Sequence, residues 1–271
     1  MKLLRCELTK LLLQRRTYVG WIGIMIVPAL IVLALAFAGD IGPGGEDGGP
    51  SFLTLAGDNG LLVPLATMIM LGQLFLPLLA SMGGGYQLAG EAESGTIKTW
   101  LVHPVERGGV LASKWLATVF YIFAGLALVA AVSYGAGIVA FGASAPELLS
   151  GGTVSVAQGL WLTLLAYLYV GVAMVCVASI AMLLSTITDS SLTAAIGTLV
   201  LVIALQIVGS LSYFDFLQPY LFTTYFETWQ GLFQGSIDWA PLLKGLATFV
   251  AYSGVTMGAS WYVFRRKDIA V

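Results

Sequence analysis

Side chains able to act as acids, bases, nucleophiles or ligands are concentrated in one stretch of this chain, the string GEAESGT from Gly90 to Thr96, followed by Lys98, His103 and Arg107. Its Gly-x-x-x-x-Gly spacing is that of a phosphate-cradling loop, which needs a Lys after the second glycine and positive potential around the anion. Here that Lys is missing, and Glu91 and Glu93 stand where phosphate oxygens would lie. Two carboxylates repel a nucleotide, so the string reads as a helix end broken by glycine.

Other chemistries fare no better. There is no His-Glu-x-x-His and no Gly-x-Ser-x-Gly, and the single histidine, His103, precedes a proline in a polar stretch. Metal binding needs several His, Cys or carboxylate ligands converging, whereas Cys6 and Cys176 fall in different kinds of segment, one charged and one apolar. No disulfide, no metal site, no cofactor and no catalytic site are expected, and nothing points to nucleic acid.

The elements around this stretch are set by composition. Of 271 residues, 58% are apolar and 10% charged, against roughly 25% charged in a soluble domain. Such a chain is measured against the bilayer, where about 20 apolar residues make one crossing. Uninterrupted apolar runs predict six spans, at about 18–38, 61–85, 115–142, 160–184, 192–212 and 242–264, in a single all-α transmembrane domain covering 1–271. None contains Asp, Glu, Arg or His, and Lys244 at the start of the last can snorkel to the interface. The first run is longer than a signal peptide's apolar core and is expected to stay as an uncleaved span.

Charge asymmetry orients the spans. Eleven of the twelve basic residues precede the first span, lie between the second and third, or follow the last, while the opposite loops carry mainly acids. The positive-inside rule then places both termini in the cytoplasm of a cell (inner) membrane, which requires an even number of spans. Residues 1–17 predict an amphipathic helix in the inner interface, with Leu4, Leu8, Leu11 and Leu12 at helical spacing. The aromatic segment 213–240 predicts either short helices dipping into the outer leaflet or a loop with aromatic anchors. Gly254 and Gly258 form a small-x-x-x-small pair suited to close helix approach, expected within the subunit ahead of a dimer seam, and Gly83, Gly84 and Gly85 point to tight packing or a bend. In the inner segment 86–114, Thr96 can cap a short helix whose Ile97, Trp100 and Leu101 share one face and which Pro104 ends.

Taken together, Glu91, Glu93, Gly95, Thr96, Leu101, Pro104, Val105, Arg107 and Lys114 resemble, in order, the signature region of export-type ABC transporter permeases, the ABC type-two membrane family. The Ser185–Ser191 turn and the ending from Phe264 to Ile269 are weaker points of likeness. The resemblance implies a type V exporter-like transmembrane fold, with a coupling helix between spans two and three seated in a groove of a separate cytoplasmic ABC ATPase. On that view Glu91, Glu93, Gly95, Thr96, Trp100, Leu101, Pro104 and Arg107 form the ATPase contact. Trp100 and Leu101 would anchor it by packing, Gly95 would permit the turn, and Arg107 and the two glutamates would make polar contacts or ion pairs inside the loop. ATP would be bound by that partner, and a second permease subunit, expected to be an identical copy, would complete the pump in the lipid bilayer. Charge-free spans suit an amphipathic or hydrophobic cargo. The alternative is a secondary transporter driven by an ion gradient, which usually places ionisable groups at mid-membrane.

Overall fold

In the computed structural model, residues 2–37, 52–93, 107–148 and 151–266 are described. Among them the chain is helical without a strand, and its one β-bridge pairs Glu147 with Thr153. The helices are α1 (Lys2–Leu13), α2 (Arg15–Phe37), α3 (Phe52–Asp58), α4 (Val63–Gly72), α5 (Phe75–Glu93), α6 (Arg107–Phe141), α7 (Val156–Ile187), α8 (Ser191–Ser210) and α9 (Trp239–Arg266). Four of them, α2, α6, α7 and α8, are long and apolar enough to cross a membrane, and a fifth crossing follows if the bent pair α4–α5 is one span. At 28 residues, α9 is long enough to cross, about 42 Å at 1.5 Å per residue, but is less apolar than those four.

The expected second span, 61–85, is not one straight helix. The chain breaks at Gln73 and Leu74, and the segments on either side are bent by 64°. Its upper arm is fixed from below and beside. Asn59 caps the preceding 3-10 turn by accepting from the Leu61 N–H at 3.0 Å, Pro64 sits in the first turn of α4 where its missing N–H costs nothing, and the Tyr167 hydroxyl donates to the Pro64 carbonyl at 3.0 Å. Gly60 and Gly137 meet backbone to backbone: a Cβ on Gly60 would stand 2.2 Å from the Gly137 oxygen.

The core is built around α7, whose most apolar stretch is largely buried, while α2 and α8 leave most of theirs outside the protomer. Ser155 caps α7, its Oγ accepting from the Gln158 N–H at 3.2 Å, so the helix starts where the apolar run does. Against α7 lies α5, and the glycines at 84 and 85 allow it: a Cβ on Gly84 would meet the Ala178 backbone oxygen, and one on Gly85 the Ala195 backbone nitrogen of α8. The expectation of tight packing at these glycines holds. For Gly254 and Gly258 the expectation of close approach within the subunit does not hold among the described residues, where a Cβ at either would meet nothing within 4 Å.

The aromatic segment divides in two. Tyr213, Phe216 and Tyr220 are exposed, as anchors would be, but Phe222, Tyr225, Phe226, Trp229 and Phe233 are buried in the main core. All but Phe226, which follows the first, are carried by the 3-10 turns Phe222–Tyr225 and Thr228–Phe233; Trp229 stacks on Phe52, Phe226 lies tilted against Phe249, and the Tyr169 hydroxyl donates to the Tyr225 carbonyl at 3.0 Å. Irregular backbone among apolar helices is tolerated when protein covers it, and here it does.

Candidate functional site

At the end of the bundle where α5 stops and α6 starts, four charged side chains meet. Lys114, on the second turn of α6, is 1% exposed and donates to Glu91 Oε1 at 2.6 Å and to Glu7 Oε1 at 3.1 Å. Glu91 and Glu7 are 3% and 4% exposed. Lys10, one turn after Glu7 on α1, donates to the same Glu91 oxygen. Two cations thus balance two anions, three of the four groups nearly closed to water and Lys10 at the edge a third exposed, the condition under which buried charge is tolerable. Burial alone would pull the Lys10 ammonium down, but its hydrogen bond to Glu91 and the fields of Glu91 and Glu7 outweigh this and hold its pKa above the ordinary lysine value. The sign of the linkage follows: the stabilisation from Lys10 is present throughout the neutral range and is lost only as pH rises through that elevated value.

Local structure brings these groups together. Glu7 and Lys10 share a face of α1 at a spacing of three residues, the face that also buries Leu11. The joint between α1 and α2 is held by the Thr17 hydroxyl donating to the Leu11 carbonyl at 2.7 Å. Leu88, Leu111 and Met182 pack beneath the ions as a small apolar cluster, with Trp115 and Phe264 against it. The end of α5 is fixed from the other side as well. Ser185 Oγ of α7 accepts from the Leu88 and Ala89 N–H groups at 3.1 and 2.8 Å, and the Ser191 hydroxyl of α8 donates to Glu93 Oε2 at 2.7 Å. Beside the network an open cavity of about 310 Å³ is lined by apolar Met82 and Leu192 and by polar Gln14, Gln87 and Glu93.

Of the residues singled out from the sequence, the structure places Glu91 inside the ion network and Glu93 at the surface on the last turn of α5. Arg107 begins α6. Gly95, Thr96, Trp100, Leu101 and Pro104, and with them the expected coupling helix, lie outside the described residues. Sequence reasoning took Lys114 only as part of a pattern and passed over Glu7 and Lys10 as its partners; the one local signal was an acid and a base three residues apart on an otherwise leucine-rich helix face.

This arrangement has no nucleophile paired with a base and no preorganised oxyanion donors. Its chemistry is mechanical: it fastens α1, the end of α5 and the start of α6 to one another, at both roots of the segment 94–106. No curated protein matches the chain. Residues 14–269 match the family model described as ABC-2 family transporter protein, and with nearly its whole length so covered, the chain belongs to the ABC-2 transporter family of membrane permeases.

Proposed function

We propose that this chain is the permease subunit of an ATP-driven exporter for an amphipathic or hydrophobic cargo, worked by a separate cytoplasmic ABC ATPase that seats on the 94–106 segment. The observation that carries this is the buried Lys114–Glu91–Glu7 network with Lys10. A push on 94–106 reaches α5 and α6 together because their adjoining ends are locked, and α1 moves with them. That is the rigid-body coupling that alternating access needs between partner and spans. In this reading α9 is the sixth span beside α2, α4–α5, α6, α7 and α8, and the network end, where the basic residues gather, faces the cytoplasm of the inner membrane. Two copies of the permease and two of the ATPase make the pump, and the cavity beside the network admits cargo from the inner leaflet.

One observation favours the gradient-driven alternative: a broken helix with polar groups at the break is a recurrent ion or substrate site in secondary transporters. The two readings separate in one preparation. Replacing Trp100 and Leu101 together by Ala is expected to abolish co-purification of an ATPase subunit with the tagged permease in mild detergent, or to leave a complex whose ATP hydrolysis no longer drives efflux from vesicles. Unchanged assembly and unchanged ATP-driven efflux would remove these residues from the coupling role. Transport that ignores ATP and stops with an ionophore would replace the exporter reading with the alternative.

A further inference from the structure

The cavity of about 310 Å³ beside the ion network, within the range of small-molecule sites, has one wall group that the coupling role does not use. Tyr121, four turns into α6, is 5% exposed, and its ring stacks on Trp21 of α2 with centroids 5.7 Å apart. Glycines make room for it on two helices: a Cβ on Gly83 of α5 would stand 2.8 Å from the ring, and one on Gly20 of α2 would stand 2.5 Å from the hydroxyl oxygen. That hydroxyl has no hydrogen-bond partner among the described residues, and it stays accessible where Tyr121 lines the cavity. A phenol this deeply placed is almost always paired, so its partner is something that enters the cavity. The rest of the wall says what kind of partner fits. Gln14 comes from the α1–α2 joint, Met82 from α5, and Leu192 and Ala195 from α8. Because α2 and α8 leave most of their apolar stretches outside the protomer, a ligand reaches the cavity past apolar surface. Among the described residues no Lys, Arg or His lines it, and its one acid, Glu93, is exposed at the rim with Oε2 accepting from the Ser191 hydroxyl at 2.7 Å.

We infer that this cavity binds an uncharged lipophile carrying a carbonyl or ester oxygen: the oxygen accepts from the Tyr121 hydroxyl, and the apolar body lies against Met82, Leu192 and Ala195. A phenolic O–H is a donor that a carbonyl lone pair satisfies, and a neutral carbonyl costs far less to strip of water than a carboxylate or phosphate. An ammonium brings donors only and would leave the phenol proton unpaired. An anion would have to cross apolar surface and sit near Glu93 with no cation among the described lining residues to balance it. Methionine adapts to varied apolar shapes, which suits a class of ligands more than one compound. That the lipophile is cargo rests on the exporter reading; that it binds does not.

The test is equilibrium binding of tritiated benzophenone, an uncharged molecule with one carbonyl between two rings, to the purified full-length protein in nanodiscs, without nucleotide or ATPase. Saturable binding is expected, and ultraviolet light, which makes the ketone insert into nearby C–H bonds, is expected to attach it to peptides containing Met82 or Leu192. Diphenylmethane, the same skeleton without the carbonyl, is expected to compete weakly. Tyr121→Phe keeps the ring and its stack on Trp21 and deletes an oxygen that bonds nothing among the described residues, so its unfolding midpoint should not fall. Its affinity for benzophenone is expected to drop about fivefold, on the scale of one neutral hydrogen bond. Leu192→Trp, at a position 66% exposed, is expected to fill the mouth and abolish labelling at Met82. Two bilayers distinguish the source: weaker binding in ester-linked than in ether-linked phosphatidylcholine assigns the site to the carbonyls of bilayer lipids, and equal binding assigns it to a free lipophile, either outcome upholding the carbonyl site. No saturable binding, equal competition by diphenylmethane, unaltered affinity in Tyr121→Phe, or labelling confined to other segments would overturn it. Tyr121-dependent binding by a protein that never assembles with an ATPase would sink the exporter reading alone, and an ATP-driven efflux complex without such binding would sink this one alone.

Discussion

Replacing Lys114 by Met is expected to destabilise the protein by about 3–5 kcal/mol, the range for stranding one member of a buried ion pair. Lys114 is 1% exposed, so little solvent screening reduces its worth. In the Lys114→Met protein Glu91 keeps Lys10, but Glu7, 4% exposed, loses its lysine. The carboxylate of Glu7, and not the missing packing, then sets the cost, because Met nearly matches the apolar stem of lysine. The check is the thermal unfolding midpoint in mild detergent, expected to fall by roughly 10 °C for a chain of this size. Adding Glu7→Gln to Lys114→Met is expected to restore part of the loss, since a neutral amide is cheaper to bury than a carboxylate. Lys10→Met should cost less than Lys114→Met, because Lys10 is a third exposed and water screens it. A midpoint unmoved in Lys114→Met would mean that the network is not what fastens α5 to α6, and the proposed coupling would lose its carrier.

What the sequence made legible follows from the range of the physics involved. Apolar runs report on themselves, so α2, α6, α7 and α8 lie where hydropathy places them, and leucine spacing alone finds α1. Of the GEAESGT string, read as a helix end, Gly90 to Glu93 lie on α5, and Ser94, Gly95 and Thr96 lie outside the described residues. The ion network was not legible, because its members are separated by 81, 107 and 23 positions, and a buried Lys–Glu pair has the same sequence as an exposed one. The break at Gln73 and Leu74 had a signal that the long apolar run around it outweighed, Pro77. Pro77 has no N–H to give the carbonyl four residues back, that of Gln73, which accepts instead from the Gln206 amide of α8 at 3.3 Å, and the grip of Tyr167 holds the α4 start. In the aromatic segment, interface and interior attract the same rings. Composition could not show that Phe222 and Trp229 turn inward while Tyr213 and Phe216 stay outside.

Glycine shows the same limit most clearly, and yields the second large effect. The sequence treats Gly84 and Gly254 alike, as small residues within apolar helices, but their surroundings differ. A Cβ at Gly84 would stand 2.2 Å from the Ala178 oxygen and 2.9 Å from the Ala181 Cβ, and the first of these is backbone that cannot rotate away. The two helices would have to separate, at the contact on which the core is centred. Gly84→Val is therefore expected to destabilise by about 3 kcal/mol or more, at or beyond the upper end for overpacking a close-packed site. The milder Gly84→Ala is expected to lose less, part of its strain being offset by the roughly 1 kcal/mol that Ala gains over Gly in a helix. A Cβ at Gly254 would meet nothing within 4 Å among the described residues, so Gly254→Ala should keep or slightly raise the protomer's unfolding midpoint. Comparing midpoints of the three proteins in detergent isolates the contact from the residue type. If Gly84→Val and Gly254→Ala unfold together, α5 and α7 do not meet as closely as described. If Gly84→Val alone collapses, the spacing of these helices is set by one absent methyl group. Because α5 also carries Glu91 and Glu93, that spacing would then fix where the root of the 94–106 segment sits against the rest of the bundle.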